Sequence, residues 1–180
     1  MATDSTNLII VESPSKARTL KRFLGDNYQI EASVGHIRDL PKSDLGVDVE
    51  NGFKPTYVAS EDKSKVISQL KSLIKKADTL YLATDPDREG EAIAWHLLEL
   101  LKPTIPVKRL AFHEITKTAV VRAVQNPTTI DMDKVRAQHA RQILDLLVGY
   151  TISPILWKNI PRKKGLSAGR CQTPAVRLIY

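Results

Sequence analysis

The hydrophobic pattern of the chain begins with a continuous apolar run, which predicts a buried β-strand. Leu8–Val11 contains no polar position and is rich in β-branched residues, as is typical of a strand that is covered on both faces. Thr79–Ala83 has the same character. Tyr28–Val34 and Val107–Phe112 are predicted as two further strands.

Helical spacing separates these strands. Ser13–Gly25 begins with a serine and a proline, which favours an N-cap followed by the first helical residue, and its last residue predicts the helix stop. Asp85–Leu101 also begins with a cap-and-proline pair, Asp85–Pro86, and predicts a second capped helix. Residues 62–76 and Thr116–Gln125 complete the series. The alternation predicts an α/β fold with a mostly parallel sheet flanked by helices.

After about residue 128 the pattern becomes purely helical. Apolar positions from Met132 to Val148 form one stripe, which Gly149 is expected to end. Ser153–Pro154 predicts the start of a short helix, and Val176–Tyr180 belongs to another. The predicted units are an α/β domain over residues 1–128 and a partial all-α segment over residues 129–180.

Charge is distributed unevenly along the chain. The 180 residues carry 27 Lys and Arg against 20 Asp and Glu. From Leu146 to the end there is no acidic residue, whereas six cations occur there. A solvated surface would explain a modest excess of positive charge, but its concentration in one segment favours a polyanionic partner such as nucleic acid.

Composition excludes several classes of protein. Cys171 is the only cysteine, so a disulfide framework and a multi-cysteine zinc site are excluded, and a reducing compartment is favoured. The apolar run near the N-terminus is too short for a signal or membrane-spanning segment. No Walker-type phosphate loop is present, so ATP hydrolysis is not expected. We expect a cytoplasmic protein without a membrane association.

The stretch TDPDREGEAIAWH, residues 84–96, concentrates acidic residues. Four carboxylates occur within seven positions, with only Arg88 to offset them. They could complement the dipole of a helix start. Alternatively, Asp85 and Asp87, which follow one buried strand, could meet Glu12, which follows the other. If those two strands are neighbours, three carboxylates converge and suit Mg²⁺.

Two other segments are open to two interpretations each. Ser13–Lys16 is either a phosphate seat at a helix N-terminus or an ordinary capped helix. Ser167–Arg170 offers backbone N–H groups and a guanidinium to a phosphodiester, or is a simple capping turn. Among the histidines, His36 is expected to be solvated and His96 to contribute to packing.

Six motifs together carry a resemblance to a known family. They are LIIVESPSKA, VGHIRDLP, LATDPDREGEAIAWHL, FHEITK, QHARQILDLLVGY and GLSAGRCQTPAVRLI. In this order they resemble the N-terminal part of the bacterial type IA DNA topoisomerases. The acidic motif with its upstream glutamate is shared by all Toprim domains, including primases and some nucleases, whereas the others are more particular to the topoisomerases.

The resemblance implies roles for individual residues. Glu12 would be the general acid for the leaving 3′-oxygen, and Lys16 would stabilise the charge of the phosphate. Asp85, Asp87 and Arg88 would complete the catalytic set, with Mg²⁺ on Glu12, Asp85 and Asp87 and with Glu89 in a structural role. The implied DNA contacts are His36, Arg141, Gln142, Asp145, Tyr150, Trp157, Ser167, Ala168, Gly169, Arg170, Cys171 and Gln172. Gln142 stands where relatives often have arginine, and Cys171 where they usually have valine.

One element that the resemblance implies is missing. The family relaxes negatively supercoiled DNA by attack of a tyrosine hydroxyl on a phosphodiester, without ATP. The five tyrosines (28, 57, 81, 150 and 180) do not lie in the motif of that nucleophile, so the chain is expected to need further domains and to be inactive alone.

Two alternatives to the topoisomerase remain. They are a Toprim nuclease or primase-like enzyme and a non-catalytic DNA-binding module. For the topoisomerase, the implied partner is a single-stranded segment of supercoiled DNA in the bacterial nucleoid.

Overall fold

The architecture was obtained from a computed structural model, which describes residues 6–41, 44–160 and 165–180. Its strands are β1 (Asn7–Val11), β2 (Tyr28–Ala32), β3 (Arg38–Asp39), β4 (Val47–Asp48), β5 (Lys54–Pro55), β6 (Val58–Ala59), β7 (Thr79–Leu82) and β8 (Val107–Arg109). Its α-helices are α1 (Pro14–Leu24), α2 (Ser64–Ile74), α3 (Arg88–Leu101), α4 (Lys117–Gln125), α5 (Met132–Asn159) and α6 (Gln172–Ile179).

The central sheet has four parallel strands in the order β2-β1-β7-β8, which confirms the predicted α/β class. Side chains of β1 alternate between its two faces, as strand geometry requires. Leu8 and Ile10 join the core that contains α2 and α3, whereas Ile9 and Val11 join the core that contains α1 and α4. Because both faces are covered, the whole strand had to be apolar.

The neighbouring strands β1 and β7 position the candidate site. They are parallel and in register, with Ile10 opposite Leu82. Parallel strands end at the same edge of a sheet, so the loops that follow them open side by side. Glu12 therefore emerges beside Asp85 although 73 positions separate them in the sequence.

Helix α1 begins and ends where the sequence predicted. The side chain of Ser13 accepts a hydrogen bond from the backbone N–H of Lys16, and Pro14 occupies the first turn. Gly25 follows the helix with φ 71°, a conformation that costs glycine little and other residues more.

The predicted start of α3 was wrong. Asp87, not Asp85, is the N-cap, because its Oδ1 accepts the backbone N–H of Gly90 at 2.7 Å. Gly90 lies directly against the main chain of Asp85, where a Cβ atom would collide with the Asp85 carbonyl. The acidic loop thus folds tightly onto the helix start and leaves the side chain of Asp85 free of the capping role.

The predicted break at Gly149 was also wrong. Helix α5 continues through Gly149 and Pro154 to Asn159. A glycine costs a helix only about 1 kcal/mol, which does not stop a helix of 28 residues. Ser153 is buried, and its hydroxyl accepts the backbone N–H of Ala168 at 3.1 Å, so this part of the helix is held by the segment that follows it.

Between β2 and α2 the chain forms two small antiparallel pairs, β3 with β6 and β4 with β5. Strands of two residues leave no periodic signal; residues 35–41 predict only a loop, and no element was predicted for residues 47–59. The basic stretch PRKKG, residues 161–165, predicts a turn from its sequence and lies mostly outside the described residues. Among the helices of the described ranges, none combines the length and the apolar character needed to span a bilayer.

Candidate active site and nucleic-acid interface

The ammonium group of Lys16 joins the two loops at the carboxyl edge of the sheet. Its Nζ atom lies 2.5 Å from Oδ1 of Asp85 and forms an ion pair with Glu12. The side chains of Lys16 and Glu12 are 13% and 15% exposed, and that of Asp85 is 54% exposed. The cluster thus has a sheltered floor and an open side.

Lys16 remains protonated in this cluster. Burial lowers the pKa of its ammonium, but the hydrogen bonds to Asp85 and Glu12 outweigh burial, and the pKa is raised above its usual value. Lys16 therefore carries a full positive charge at neutral pH. A positive charge lies where the sequence predicted that a cation would bind.

The carboxylates fit a divalent cation in part. Oε2 of Glu12 is buried and has no hydrogen-bond partner among the described residues, so it is an acceptor that a ligand would satisfy. Asp85 reaches the same ammonium and has open solvent on its other side. Asp87 is used as the α3 cap. Within the described ranges, no group of three or more His, Cys, Asp or Glu side chains is arranged to hold a metal ion.

A buried arginine fixes the main chain of the Asp85 loop. Arg109, at the end of β8, is 1% exposed. Its guanidinium donates to the carbonyl oxygens of Asp85 at 2.7 Å and Leu82 at 3.0 Å. It also forms an ion pair with Glu91 of α3, with an N–O distance of 2.9 Å.

Glu91 in turn reaches helix α5. Its second oxygen accepts the backbone N–H of Asp131, the N-cap of α5, at 3.1 Å. Lys134, in the first turn of α5, donates to the carbonyl of Pro86 at 2.8 Å. The acidic loop and the start of α5 are therefore tied together at two points.

The sequence analysis missed both Arg109 and Glu91 as parts of the site. A signal was present, since an arginine inside the apolar strand VKRLAF and a glutamate on the apolar face of α3 each need a partner. The pairing itself could not be predicted, because it depends on β8 lying next to β7.

Glu89 connects the acidic loop to a second region. Its carboxylate is hydrogen-bonded to Nε2 of His36 at 2.7 Å and accepts from Nε2 of Gln138 at 3.1 Å. This contact connects His36, in the loop after β2, to helix α3. The sequence had led us to expect only that His36 is exposed to solvent. These contacts agree with the structural role predicted for Glu89.

A cleft of about 360 Å³ lies beyond this link. Four residues that were predicted to contact DNA line it together, namely His36, Arg141, Gln142 and Asp145. Gln142 is held on both sides: its Oε1 accepts from the hydroxyl of Tyr57 at 3.1 Å, and its Nε2 donates to Asp39 at 2.9 Å. No motif or spacing pointed to Tyr57 or Asp39 as partners of Gln142.

Asp145 organises the cations of this region. Its carboxylate pairs with Arg170 at 2.6 Å and with Arg141 at 3.7 Å. The pKa of Asp145 is lowered, first by the hydrogen bond from Arg170 and further by the charges of both arginines. The loop that carries Arg170 is thereby brought to the side of α5.

The remaining predicted contacts lie along the same loop and helix. Trp157 donates from its indole to the carbonyl of Leu166 at 2.6 Å, and Gln172 donates to Ser167 at 3.0 Å. Gly169 donates its N–H to Thr173. The other predicted positions are placed as follows: Ala168 is buried against Ser153, whereas Arg88, Tyr150 and Cys171 are exposed.

A cluster of aromatic rings, of which His96 is buried, adjoins the cleft. His96 packs edge-on against Tyr57 and Trp95 and lies near His139. Burial, with a smaller effect of the Arg38 charge, lowers the pKa of His96 to about 3. His96 is therefore neutral, in agreement with the packing role that was expected for it.

Two protein families together match most of the chain. Residues 7–115 match the Toprim domain family, and residues 129–180 match the family described as DNA topoisomerase. The chain therefore belongs to the Toprim family.

Its curated relatives bear the name DNA topoisomerase 1. The protein of Synechococcus elongatus is 53% identical over 96% of the chain, and that of Streptomyces coelicolor is 55% identical over the same share. The full-length topoisomerase I of Thermotoga maritima has a similar structure, with a TM-score of 0.86 and 50% identity over 96% of this chain and 29% of that one. The predicted resemblance is confirmed, and the chain spans about a fifth of the length of the two curated relatives.

Proposed function

We propose that this chain is the Toprim part, with the beginning of the helical DNA-binding part, of a type IA topoisomerase that relaxes negatively supercoiled DNA. The observation that carries the proposal is the cluster of Glu12, Lys16 and Asp85, which lies at the carboxyl edge of the sheet and is tied to the helix that carries the predicted DNA contacts. The domain boundary is proposed near residue 128.

In the proposed reaction Lys16 and Glu12 act on the scissile phosphodiester. The ammonium of Lys16 would stabilise the charge that develops on the phosphate oxygens. Glu12, which is largely sheltered from water, would give a proton to the 3′-oxygen as it leaves and take it back on religation. Arg88, exposed at the first position of α3, would hold a neighbouring phosphate.

Glu12 and Asp85 would hold Mg²⁺, with Asp87 as the third carboxylate. The ion would supply positive charge beside the phosphodiester when it is bound. The Oδ1 atom of Asp87 already accepts the N–H of Gly90, so its other oxygen would be the less engaged donor to the ion. Arg109 donates a hydrogen bond to the main-chain carbonyl of Asp85 and would thereby hold the acidic loop in position for metal binding.

The single-stranded segment would cross the cleft beside α5. Arg141 and Arg170 would contact phosphates, and His36 and Gln142 would contact the nucleotide nearest the acidic loop. Tyr150 and Trp157 are both exposed and offer aromatic faces for stacking of bases. The segment from Ser167 to Gln172 would add further donors to the same strand, but not the N–H groups of Ala168 and Gly169, which donate to Ser153 and Thr173.

The nucleophilic tyrosine would be supplied by further domains, and the partners would be those domains and nucleoid DNA of the bacterial cytoplasm. No ATP is required, because the energy of the broken phosphodiester is kept in the phosphotyrosine bond. A Toprim nuclease, in which water attacks, and a non-catalytic DNA-binding module are the alternatives that the experiment must separate.

The test uses the longer protein in which we propose that this chain occurs. We expect it to relax negatively supercoiled plasmid with Mg²⁺ and without ATP, and expect Glu12→Gln and Asp85→Asn to lower the rate by about 100-fold or more. Lys75→Ala, at the exposed position directly after α2, is the matched control. Accumulation of nicked circles without relaxed topoisomers would support the nuclease, and binding without any change of the plasmid would support the non-catalytic module.

A further inference from the structure

The place of Lys16 in the acidic cluster has a consequence for metal binding. A single ammonium satisfies both Glu12 and Asp85, the two carboxylates that would hold a divalent cation. Two carboxylates this close repel each other unless a positive charge lies between them. Lys16 provides that charge in the protein without metal.

We propose that Lys16 occupies the place of the divalent cation, and that metal binding displaces its ammonium from Glu12 and Asp85 toward the phosphodiester. This inference rests on the proposed function. The new element is that Lys16 is released to bind the phosphate only when the metal is bound. The metal ion and the Lys16 ammonium then reach the substrate together.

The geometry supports an exchange of cations within the cluster. Lys16 lies in the first turn of α1 with its backbone fixed by the Ser13 cap, so only its side chain needs to move. Asp85 is 54% exposed, which gives a metal ion a path from solvent. Oε2 of Glu12 is buried and has no partner in the described part of the chain, so this oxygen is left for a metal while Oε1 still holds Lys16.

The exchange would also be favourable in charge. The Lys16 ammonium contributes one positive charge to two carboxylates, whereas Mg²⁺ contributes two. A displaced ammonium remains within the length of one side chain of the site, where a phosphate oxygen would offer it a new partner of opposite charge. Substrate and metal would therefore each favour the binding of the other.

The first experiment measures the affinity of the 180-residue chain for Mn²⁺, with the free ion followed by electron paramagnetic resonance. Lys16→Met keeps the length of the side chain and removes its charge. We expect it to bind Mn²⁺ about tenfold more tightly than the parent, because no ammonium must be displaced. Lys21→Met, an exposed position on the same helix, should bind as the parent does.

Two outcomes separate this inference from the proposed function. Loss of Mn²⁺ binding in Asp85→Asn, with unchanged affinity in Lys16→Met, would leave the metal site standing and overturn the exchange. Equal Mn²⁺ binding by the parent and Asp85→Asn would reject the metal site itself. Thermal unfolding of each variant with and without Mn²⁺ shows whether it is folded under the conditions of the titration.

A second experiment follows the released ammonium. The affinity for a fluorescent oligothymidylate is measured by anisotropy with and without Mg²⁺ at equal ionic strength. Mg²⁺ should increase the affinity for the oligothymidylate in the parent and in Lys21→Met. This increase should be about tenfold larger than the increase in Lys16→Met, because only the first two proteins have the Lys16 ammonium to release. The same Mg²⁺ effect in all three proteins would overturn the proposal.

Discussion

The Nζ atom of Lys16 lies 2.5 Å from Oδ1 of Asp85, although 69 positions separate the two residues in the chain. The contact is possible because β1 and β7 are neighbouring parallel strands, so that the loops after them meet at one edge of the sheet. It also changes what is expected of the acidic cluster. The carboxylates are not left to repel each other, since a lysine already compensates part of their charge.

Replacement of Asp85 tests the metal site through stability. Mg²⁺ at 100 times its dissociation constant should stabilise the parent by about 2.7 kcal/mol, which raises the melting temperature of a chain of this size by roughly 5–10 °C. Asp85→Asn should lose that increase. A melting curve with and without Mg²⁺ measures both, and an equal increase in the two proteins would mean that the acids only begin a helix.

The stability of the same variant without metal should differ from what sequence alone suggested. Repulsion among three carboxylates predicted that removing one would do no harm. Because Asp85 forms an ion pair with Lys16, its replacement should instead destabilise the protein. The free energy of unfolding of Asp85→Asn should be lower by between about 0 and 1 kcal/mol, as is usual for a half-exposed pair. Urea unfolding in a metal chelator gives the value.

Loss of the buried arginine should be far more damaging. Arg109→Met leaves Glu91 charged and buried without its partner, and removal of one member of such a pair costs about 3–5 kcal/mol. Arg122→Met, at an exposed position of α4, should change stability by less than about 0.5 kcal/mol. The two free energies of unfolding in urea are compared, and similar values would refute a special role for the Arg109 pair.

His96 should make the stability of the protein depend on pH. Its pKa falls from about 6.5 in the unfolded chain to about 3 in the folded protein, so below pH 6.5 the unfolded state binds the extra proton. Stability is therefore complete above pH 6.5 and is lost as the pH falls toward 3. Between pH 7 and pH 5 the loss should be about 2 kcal/mol.

The control for this pH effect is a variant of the histidine itself. His96→Gln should flatten the dependence between pH 7 and pH 5, whereas the exposed His113→Gln should keep it. Part of the dependence should remain in His96→Gln, because burial and the charge of Arg38 also lower the pKa of His139. A pH profile that does not change in His96→Gln would show that another group is responsible.

Much of the fold was predictable from local patterns. The apolar run Leu8–Val11 specified a strand buried on two faces, and Ser13–Gly25 contained both the cap and the stop of a helix. The errors came where tertiary contacts override local preference. Gly149 lies inside α5 because that helix is held by later residues, and Asp87 caps α3 because Gly90 allows the loop to fold closely onto it.

The site was predictable in its members but not in its connections. Glu12, Lys16 and Asp85 could be chosen from motifs, and their meeting required only that two strands be neighbours. The pair of Arg109 with Glu91 joins residues 18 positions apart, and that of Tyr57 with Gln142 joins residues 85 positions apart. No local spacing encodes them, because each depends on which helix packs over which strand.

Binding of single-stranded DNA should depend on salt through the cations beside α5. Each phosphate contact releases counterions, so the slope of log affinity against log salt concentration should fall by about 0.7 for each contact that is lost. Arg170→Ala and Arg141→Ala should each reduce the slope by about that amount, and Lys75→Ala, just after α2, should not. Titrations of an oligothymidylate at several salt concentrations give the slopes. An affinity that does not depend on salt would contradict this assignment, and so would an affinity that is unchanged after deletion of residues 146–180.

The 180-residue chain by itself should not relax supercoiled DNA at any Mg²⁺ concentration. Positioning and charge stabilisation accelerate an attack only when a nucleophile is present. In the described part of the chain, the hydrogen bonds and ion pairs of Glu12, Lys16 and Asp85 involve no tyrosine. Tyr57 is hydrogen-bonded to Gln142, and burial, with the charge of Asp39, raises its pKa to about 12, which makes it a poor nucleophile at neutral pH.

The assay incubates the purified chain with negatively supercoiled plasmid and Mg²⁺ and separates the products on a gel. We expect supercoiled plasmid to remain, because the sheltered carboxylate of Glu12 can assist a leaving 3′-oxygen but no tyrosine is placed to attack. A ladder of relaxed topoisomers would show that one of the five tyrosines is the nucleophile. Nicked circles that accumulate with the parent but not with Glu12→Gln would show instead that water attacks, and would make the chain a Toprim nuclease.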